Sequence, residues 1–256
     1  MDTEAPKICL ELRQISKSYR EQPVLKEISF TLKEREILGI IGPNGAGKTT
    51  LFNIINGLVR PTRGTIFFQG QETTHWSSSS LSRMGMARTF QVPQIFPEMR
   101  VMENVLMGFR FGPEEGPTPA EAGDQAVELL EMVELADKAA TAARELSLAE
   151  QHLLEVGRAL ATRPSLLLID EIAAGCSPRT VQGLAELMAA WRNRGLTLLI
   201  TDHLLNLTLP VSDRLLALDQ GEIIAAGIPR EVIRHPEVVA AYLGTRPYEG
   251  AEGLAR

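Results

Sequence analysis

Eight consecutive residues, GPNGAGKT, combine three glycines, a lysine and a hydroxyl at a spacing suited to holding phosphate groups. They fit the pattern G-x-x-x-x-G-K-[ST]. Its glycines let backbone N–H groups turn inward around phosphate oxygens, and the helix that follows offers its positive N-terminus. The loop therefore comprises Gly42, Pro43, Asn44, Gly45, Ala46, Gly47, Lys48 and Thr49. Lys48 is expected against the β- and γ-phosphates of a nucleotide and the Thr49 hydroxyl on Mg²⁺, while Thr50 adds a hydroxyl to a phosphate oxygen. A second element, LLLIDE at 166–171, places four apolar residues before an acidic pair. Asp170 ends the strand where it can reach the Mg²⁺ shell, and Glu171 is placed to orient or deprotonate an attacking water. Alone, such a pair is a polar strand end; downstream of a phosphate loop it completes a hydrolytic site.

The elements that must position these groups are legible in the hydrophobic pattern. Residues 8–14 and 24–32 alternate apolar and polar positions, as half-buried antiparallel strands do. Ile37–Ile41 is a continuous apolar run ending in the Gly-rich loop, which suits a strand buried on both faces. Leu51, Ile54, Ile55 and Leu58 follow at helical spacing, ended by Gly57 and Pro61, and 64–70 reads as a further short strand. From about 73 to 164 the character changes: WSSSS, the Pro-containing TFQVPQIFPEMR and the Gly/Pro-rich 112–123 read as loops around mostly helical segments, with a strong helical pattern over 125–135. This predicts a helical lobe inserted into the core. The core then resumes with a strand at 165–169, a helix at about 178–194, a strand at 196–201, a short helix, strands near 214–218 and 222–225, and a closing helix at 229–243. Strands alternating with such helices imply crossover connections and a mainly parallel sheet. The last dozen residues read as a loose tail.

Composition narrows the classes. The chain has 256 residues, 44% of them hydrophobic, which suits one large α/β domain. A net charge of -6 argues against a broad nucleic-acid surface. Cys9 and Cys176 lie far apart in no metal-ligand spacing and read as free thiols of a reducing compartment. No secretory leader is expected from the N-terminal residues. The most apolar runs are a few residues long, against about 20 needed to span a bilayer, so any role in transport requires partners.

The ordered set of motifs around the phosphate loop resembles the ABC ATPase family over about residues 8–244, and within it the branched-chain amino-acid transport ATPases of the LivG type. The resemblance implies further roles. Tyr19 falls where the family keeps an aromatic that stacks on adenine. Gln91, in ARTFQ, matches the glutamine that touches Mg²⁺ or water, in a segment where such proteins receive the coupling helix of a membrane subunit. LSLAEQ occupies the position of the signature, which contacts ATP held by the opposite subunit; Ser147, Ala149 and Gln151 are its expected contact residues, and Ser147 suits a helix N-cap. His203, in ITDH, matches the switch histidine that contacts the γ-phosphate and the water. The ITDH form is also similar to the ATPase of lipopolysaccharide export. Four positions depart from the family pattern: Ala149 replaces a signature glycine, Ile172 stands where Pro is common, and Cys176 and Ser177 replace Leu and Asn or Asp.

The expected fold is thus an α/β P-loop NTPase core of mainly parallel sheet, with an antiparallel β subdomain and an inserted helical lobe. Residues 8–72 and 165–244 form the core, about 73–164 the lobe, and 245–256 a tail. The implied cofactors are ATP and Mg²⁺. The implied partners are a second ABC ATPase subunit, two transmembrane permease subunits and an extracytoplasmic substrate-binding protein, without nucleic acid, at the cytoplasmic face of the inner membrane. Branched-chain or related amino acids or small amides are the implied cargo. A lipid or lipopolysaccharide-type exporter and a soluble non-transport ABC ATPase are the alternatives. A GTPase switch lacks its N-K-x-D motif here.

Overall fold

A computed structural model describes residues 7–112, 116–173, 177–201 and 205–243. The chain begins with two long strands, β1 (Ile8–Tyr19) and β2 (Gln22–Lys33), then enters the short buried β3 (Ile37–Ile41) and helix α1 (Lys48–Ile55). Strands β4 (Arg63–Phe68) and β5 (Gln71–Glu72) return to the first sheet. Next come α2 (Ser78–Arg83), β6 (Met86–Arg88), α3 (Val101–Gly108), α4 (Pro119–Met132) and α5 (Leu148–Ala161). The core continues through β7 (Leu166–Asp170), α6 (Pro178–Asn193), β8 (Thr197–Thr201), α7 (Leu205–Val211), β9 (Arg214–Asp219) and β10 (Glu222–Gly227). Helices α8 (Pro229–Val232) and α9 (Pro236–Leu243) close it.

Two sheets result. The first is antiparallel, in the order β2-β1-β4-β5, and the second has the order β10-β9-β3-β8-β7-β6. In the second, β3, β6, β7, β8 and β9 run parallel and β10 joins antiparallel as an edge. All residues of β3, β7 and β8 are buried, as expected for parallel strands covered on both faces. Successive side chains of a strand point to opposite faces, and β7 divides accordingly. Leu166 and Leu168 join Phe52 of α1 and Leu10, Leu12 and Ile28 of the antiparallel sheet in one core. Leu167 and Ile169 join Leu154 of α5, Met188 and Trp191 of α6 and the lobe residues Val105 and Leu130 in the other. The central strands are thus fixed from both sides, and their C-terminal ends carry the loops that bear the chemistry.

Four details depart from the sequence expectation. The WSSSS segment, expected as a loop, initiates α2, because the Ser77 hydroxyl accepts from the Ser80 N–H at 3.3 Å and caps the helix. Residues 86–88, expected inside the lobe, form the outermost strand of the parallel sheet, in register with Leu166–Leu168. Three residues are too few to show a period-2 pattern. The single helix expected over 229–243 is two, because Pro236 supplies no N–H and disfavours helical backbone at His235. A further departure is α4, which starts inside the stretch 112–123 expected as a loop, because Thr118 opens it with a capping box to Glu121.

Trp191 ties the lobe to the core. Its ring is buried and its Nε1–H donates to the Met132 carbonyl at 3.1 Å, at the end of α4. Trp191→Ala is expected to lower the unfolding free energy by about 3–5 kcal/mol in urea titration. Trp191→Phe, which keeps most of the packing, should cost clearly less, and equal losses for the two variants would assign the stability to the hydrogen bond.

Candidate active site

The phosphate loop connects β3 to α1 and is wedged against the end of β9. A Cβ built on Gly42 would lie 2.1 Å from the Leu218 carbonyl oxygen, and one on Gly47, at φ 109°, would lie 2.7 Å from Leu25 Cδ2. Only glycine fits either place. The loop closes on itself through Ala46 N–H donating to Pro43 O at 3.2 Å. It is buttressed by the β9–β10 turn, where Gly221 N–H donates to Ala46 O at 3.0 Å while Lys26 N–H donates to Gly221 O at 2.8 Å. Nothing in the sequence pattern marked Gly221 beyond a turn glycine. Lys48 is buried, with Nζ donating to Gly42 O at 2.7 Å and Pro43 O at 3.2 Å. Its charge is therefore held inside the loop rather than in solvent.

Asn44–Thr50 line a cleft of about 450 Å³ whose other walls are Val24, Gln91 and Glu171. Three of the sequence-predicted groups, the loop, Gln91 and Glu171, are thus brought together. Glu171 follows β7 in left-handed backbone, φ 53°, and donates its N–H to Thr201 O at 2.9 Å. Such a conformation costs free energy in a non-glycine residue, and Glu171 shares it with residues such as Arg20, Gln69 and Gln220 outside the site. The Gln91 Nε2 donates to Glu171 Oε2 at 2.5 Å.

Asp170, the last residue of β7, is buried in an ion pair with Arg88, whose Nη2 donates to Oδ2 at 2.9 Å with both side chains under 5% exposed. The Arg88 Nη1 donates to Asn53 Oδ1 at 2.7 Å, and the guanidinium lies against the rings of Phe52 and Phe90 at 5.6 and 5.0 Å. Burial pulls the Arg88 pKa down, and the Asp170 carboxylate opposes that shift. Sequence inspection missed Arg88. It stands in ARTFQ, three residues before Gln91, but its partner is 82 positions away and no local signal joins them.

Several other predicted residues are not among those that line this cleft. Tyr19 ends β1 with 46% of its surface exposed and the Lys17 ammonium 4.9 Å from its ring centre; it is not among the cleft-lining residues. Ser147 caps α5 in a capping box with Glu150, whose Oε2 accepts from Ser147 N and Oγ at 2.9 Å each. The S-x-x-E spacing made that box readable, although Glu150 was not singled out. Ala149 lies in ordinary helical backbone at the second position of α5, so alanine there carries no backbone strain. Gln151 turns back to donate to Leu146 O at 3.0 Å. Leu148, 55% exposed, leaves this helix start open to the surface. His203 and Cys176 lie outside the described residues, whereas Cys9 is a buried thiol whose pKa burial pushes up to about 11, so it is inert at neutral pH. Ser177 caps α6 through Thr180 N–H, as its position before Pro178 predicts.

A phosphate loop at the C-terminal edge of a parallel sheet, facing an acidic strand end, defines a P-loop nucleotide hydrolase. A family model described as ABC transporter matches residues 25–174. A second, described as branched-chain amino acid ATP-binding cassette transporter, matches residues 222–247. The chain is 39% identical over 233 residues to the high-affinity branched-chain amino acid transport ATP-binding protein LivG of Salmonella typhimurium, covering 86% of this chain and 91% of that protein. It is 37% identical to the lipopolysaccharide export system ATP-binding protein LptB of Acidithiobacillus ferridurans, over 92% of this chain and 96% of that protein. The crystal structure of a nucleotide-free ATP-binding cassette from an ABC transporter superposes with a TM-score of 0.83 at 31% identity, covering 93% of this chain and 99% of that one. The chain belongs to the ABC transporter family of ATP-binding subunits, and it is an ATPase.

Removing Arg88 would leave the Asp170 carboxylate buried without its cation, a change that costs about 3–5 kcal/mol when one member of a buried pair is deleted. Arg88→Met should therefore lower the unfolding free energy by that amount in denaturant titration. A loss below about 1 kcal/mol would show the pair to be energetically slack.

Proposed function

We propose that the chain is the motor subunit of an ABC importer, hydrolysing Mg-ATP between its own phosphate loop and the signature of a second ATPase subunit. The observation that carries this reading is the single cleft in which Asn44–Thr50, Gln91 and Glu171 meet. Lys48 and the loop amides bind the β- and γ-phosphates, Thr50 adds a hydroxyl, and Tyr19 stacks on the adenine from its exposed place at the end of β1. Glu171 holds the attacking water and accepts its proton, assisted by His203. Gln91 orients that water and links it to the lobe. Thr49 and Gln91, which line the cleft, and Asp170, one residue before the cleft-lining Glu171 and ion-paired with Arg88, are the oxygen donors that would hold Mg²⁺. Mg²⁺, when bound, neutralises phosphate charge in the transition state.

Ser147, Ala149 and Gln151 face the ATP of the partner subunit, with the positive end of α5 aimed at its γ-phosphate. Because Ala149 is unstrained, any slowing it causes at that site comes from the bulk of its methyl group. A groove of about 490 Å³ bordered by Phe90, Ile95, Phe96, Phe111 and Arg158 receives the coupling helix of a transmembrane permease subunit. No helix of the described residues is long and apolar enough to cross a membrane. In this reading a pair of permease subunits holds the chain at the cytoplasmic face. ATP binding closes the ATPase dimer, and hydrolysis lets it open. The match of residues 222–247 to the branched-chain family favours import of branched-chain or related amino acids or small amides, delivered by an extracytoplasmic binding protein. The 37% identity to LptB supports a second reading, export of lipopolysaccharide-type lipid.

Glu171→Gln should bind ATP, lose turnover by about 100-fold or more, and accumulate as closed dimer on size exclusion; wild-type turnover in this variant would remove Glu171 from its role. Ala149→Gly should raise turnover in the assembled complex, and unchanged activity would show that the methyl group does not limit the cycle. Purification with native membrane subunits decides direction: amino-acid-type permeases with stimulated ATPase support import, and lipid-export permeases support the second reading.

A further inference from the structure

The segment that carries Gln91 leaves β6 and runs to α3 with little regular structure of its own. Its backbone groups are met instead by side chains of α5 and α3. Phe90 N–H donates to Glu155 Oε2 at 3.0 Å and Gln94 N–H donates to Glu155 Oε1 at 2.8 Å, so one carboxylate holds the chain on both sides of Gln91. One turn further along α5, Arg158 donates to the Gln94 carbonyl and its guanidinium lies over the Phe96 ring. Asn104 of α3 fixes the far end, accepting from Phe96 N–H at 2.8 Å and donating to Phe96 O at 3.0 Å.

Glu155 is 1% exposed in the middle of α5. A charged residue there carries a desolvation cost that an apolar residue would avoid. Burial pushes its pKa upward, while the two amides and the nearby Arg158 and Arg88 draw it back. A carboxylate accepts at both oxygens, and two converging amide donors are what the site presents. The residue between those amides reaches Glu171 at 2.5 Å, so a small slip of the segment breaks that contact.

We propose that Glu155 is a positioning residue for hydrolysis: it clamps the Gln91 segment onto α5 and thereby sets Gln91 against Glu171. The proposal rests on the reading in which Gln91 and Glu171 serve hydrolysis. It also gives α5 a double role, because the helix whose N-terminus is Ser147 then carries the clamp for this chain's own cleft. A displacement of α5 is transmitted to Gln91 through two hydrogen bonds.

The test is a double-variant cycle on the full-length chain, measuring kcat and the ATP Kd separately. Glu155→Gln keeps the shape but offers one acceptor and turns an NH2 donor toward the other amide. It should lower kcat about tenfold with the Kd for ATP unchanged within about twofold. In combination with Gln91→Ala, the double variant should be no slower than Gln91→Ala alone. Losses that multiply, or wild-type kcat in Glu155→Gln, would overturn the proposal. If Gln91→Ala itself turns over at the wild-type rate, the underlying reading of Gln91 fails and the proposal with it. Hydrogen exchange on the wild-type chain is an independent check that needs no variant: the Phe90 and Gln94 amides should be protected although their loop is exposed, and free exchange at both would contradict the clamp.

Discussion

The Leu218 carbonyl occupies the space a side chain at residue 42 would need, 2.1 Å from its Cβ position, and the tip of the next hairpin bonds to the loop carbonyl at Ala46. The phosphate loop is therefore held from behind by β9 and β10 rather than by its own contacts alone. A loop that turns amides toward a ligand has few left to hold its own shape, here Ala46 N–H on Pro43 O, so neighbours impose much of that shape. The order of the parallel sheet follows from that requirement, since β3 must lie beside β9 to bring Leu218 behind Gly42. The antiparallel sheet serves the same end, with Val24 at the cleft wall and Lys26 bonded to Gly221.

A second layer of the design lies in the buried charges. Arg88, Asp170, Glu155 and Lys48 are all withdrawn from water, and each of them meets a specific partner on the chain. Buried ion pairs are weak evidence for stability, because desolvation offsets most of the attraction. They do fix geometry. Arg88 joins the strand that leads into the Gln91 segment to the acidic end of β7, and it reaches Asn53 of α1 through the same guanidinium. β6, β7 and α1 are thus joined through one buried guanidinium.

Much of this was legible in the sequence because the signals were local. The apolar runs at Ile37–Ile41 and Leu166–Ile169 predicted buried strands, and those strands are wholly buried. The Gly-rich loop, the caps at Ser147 and Ser177 and the acidic pair at 170–171 each sit within a few residues of what they act on. What escaped was long-range or short. Strand β6 has three residues and no visible period, so the boundary between core and lobe was drawn too early at that point. The pairing of Arg88 with Asp170 and the hold of Glu155 on Phe90 and Gln94 span 82, 65 and 61 positions. No spacing rule announces contacts of that kind; they are products of the fold.

The central claim is that the loop cradles the phosphates of ATP with Lys48 as its fixed charge. Phosphate release from Mg-ATP by the purified full-length chain, set beside a Lys48→Ala variant, tests it most directly. The account predicts steady turnover in the first and a loss of about 100-fold or more in the second, with the unfolding midpoint preserved. Equal turnover in the two chains would contradict it.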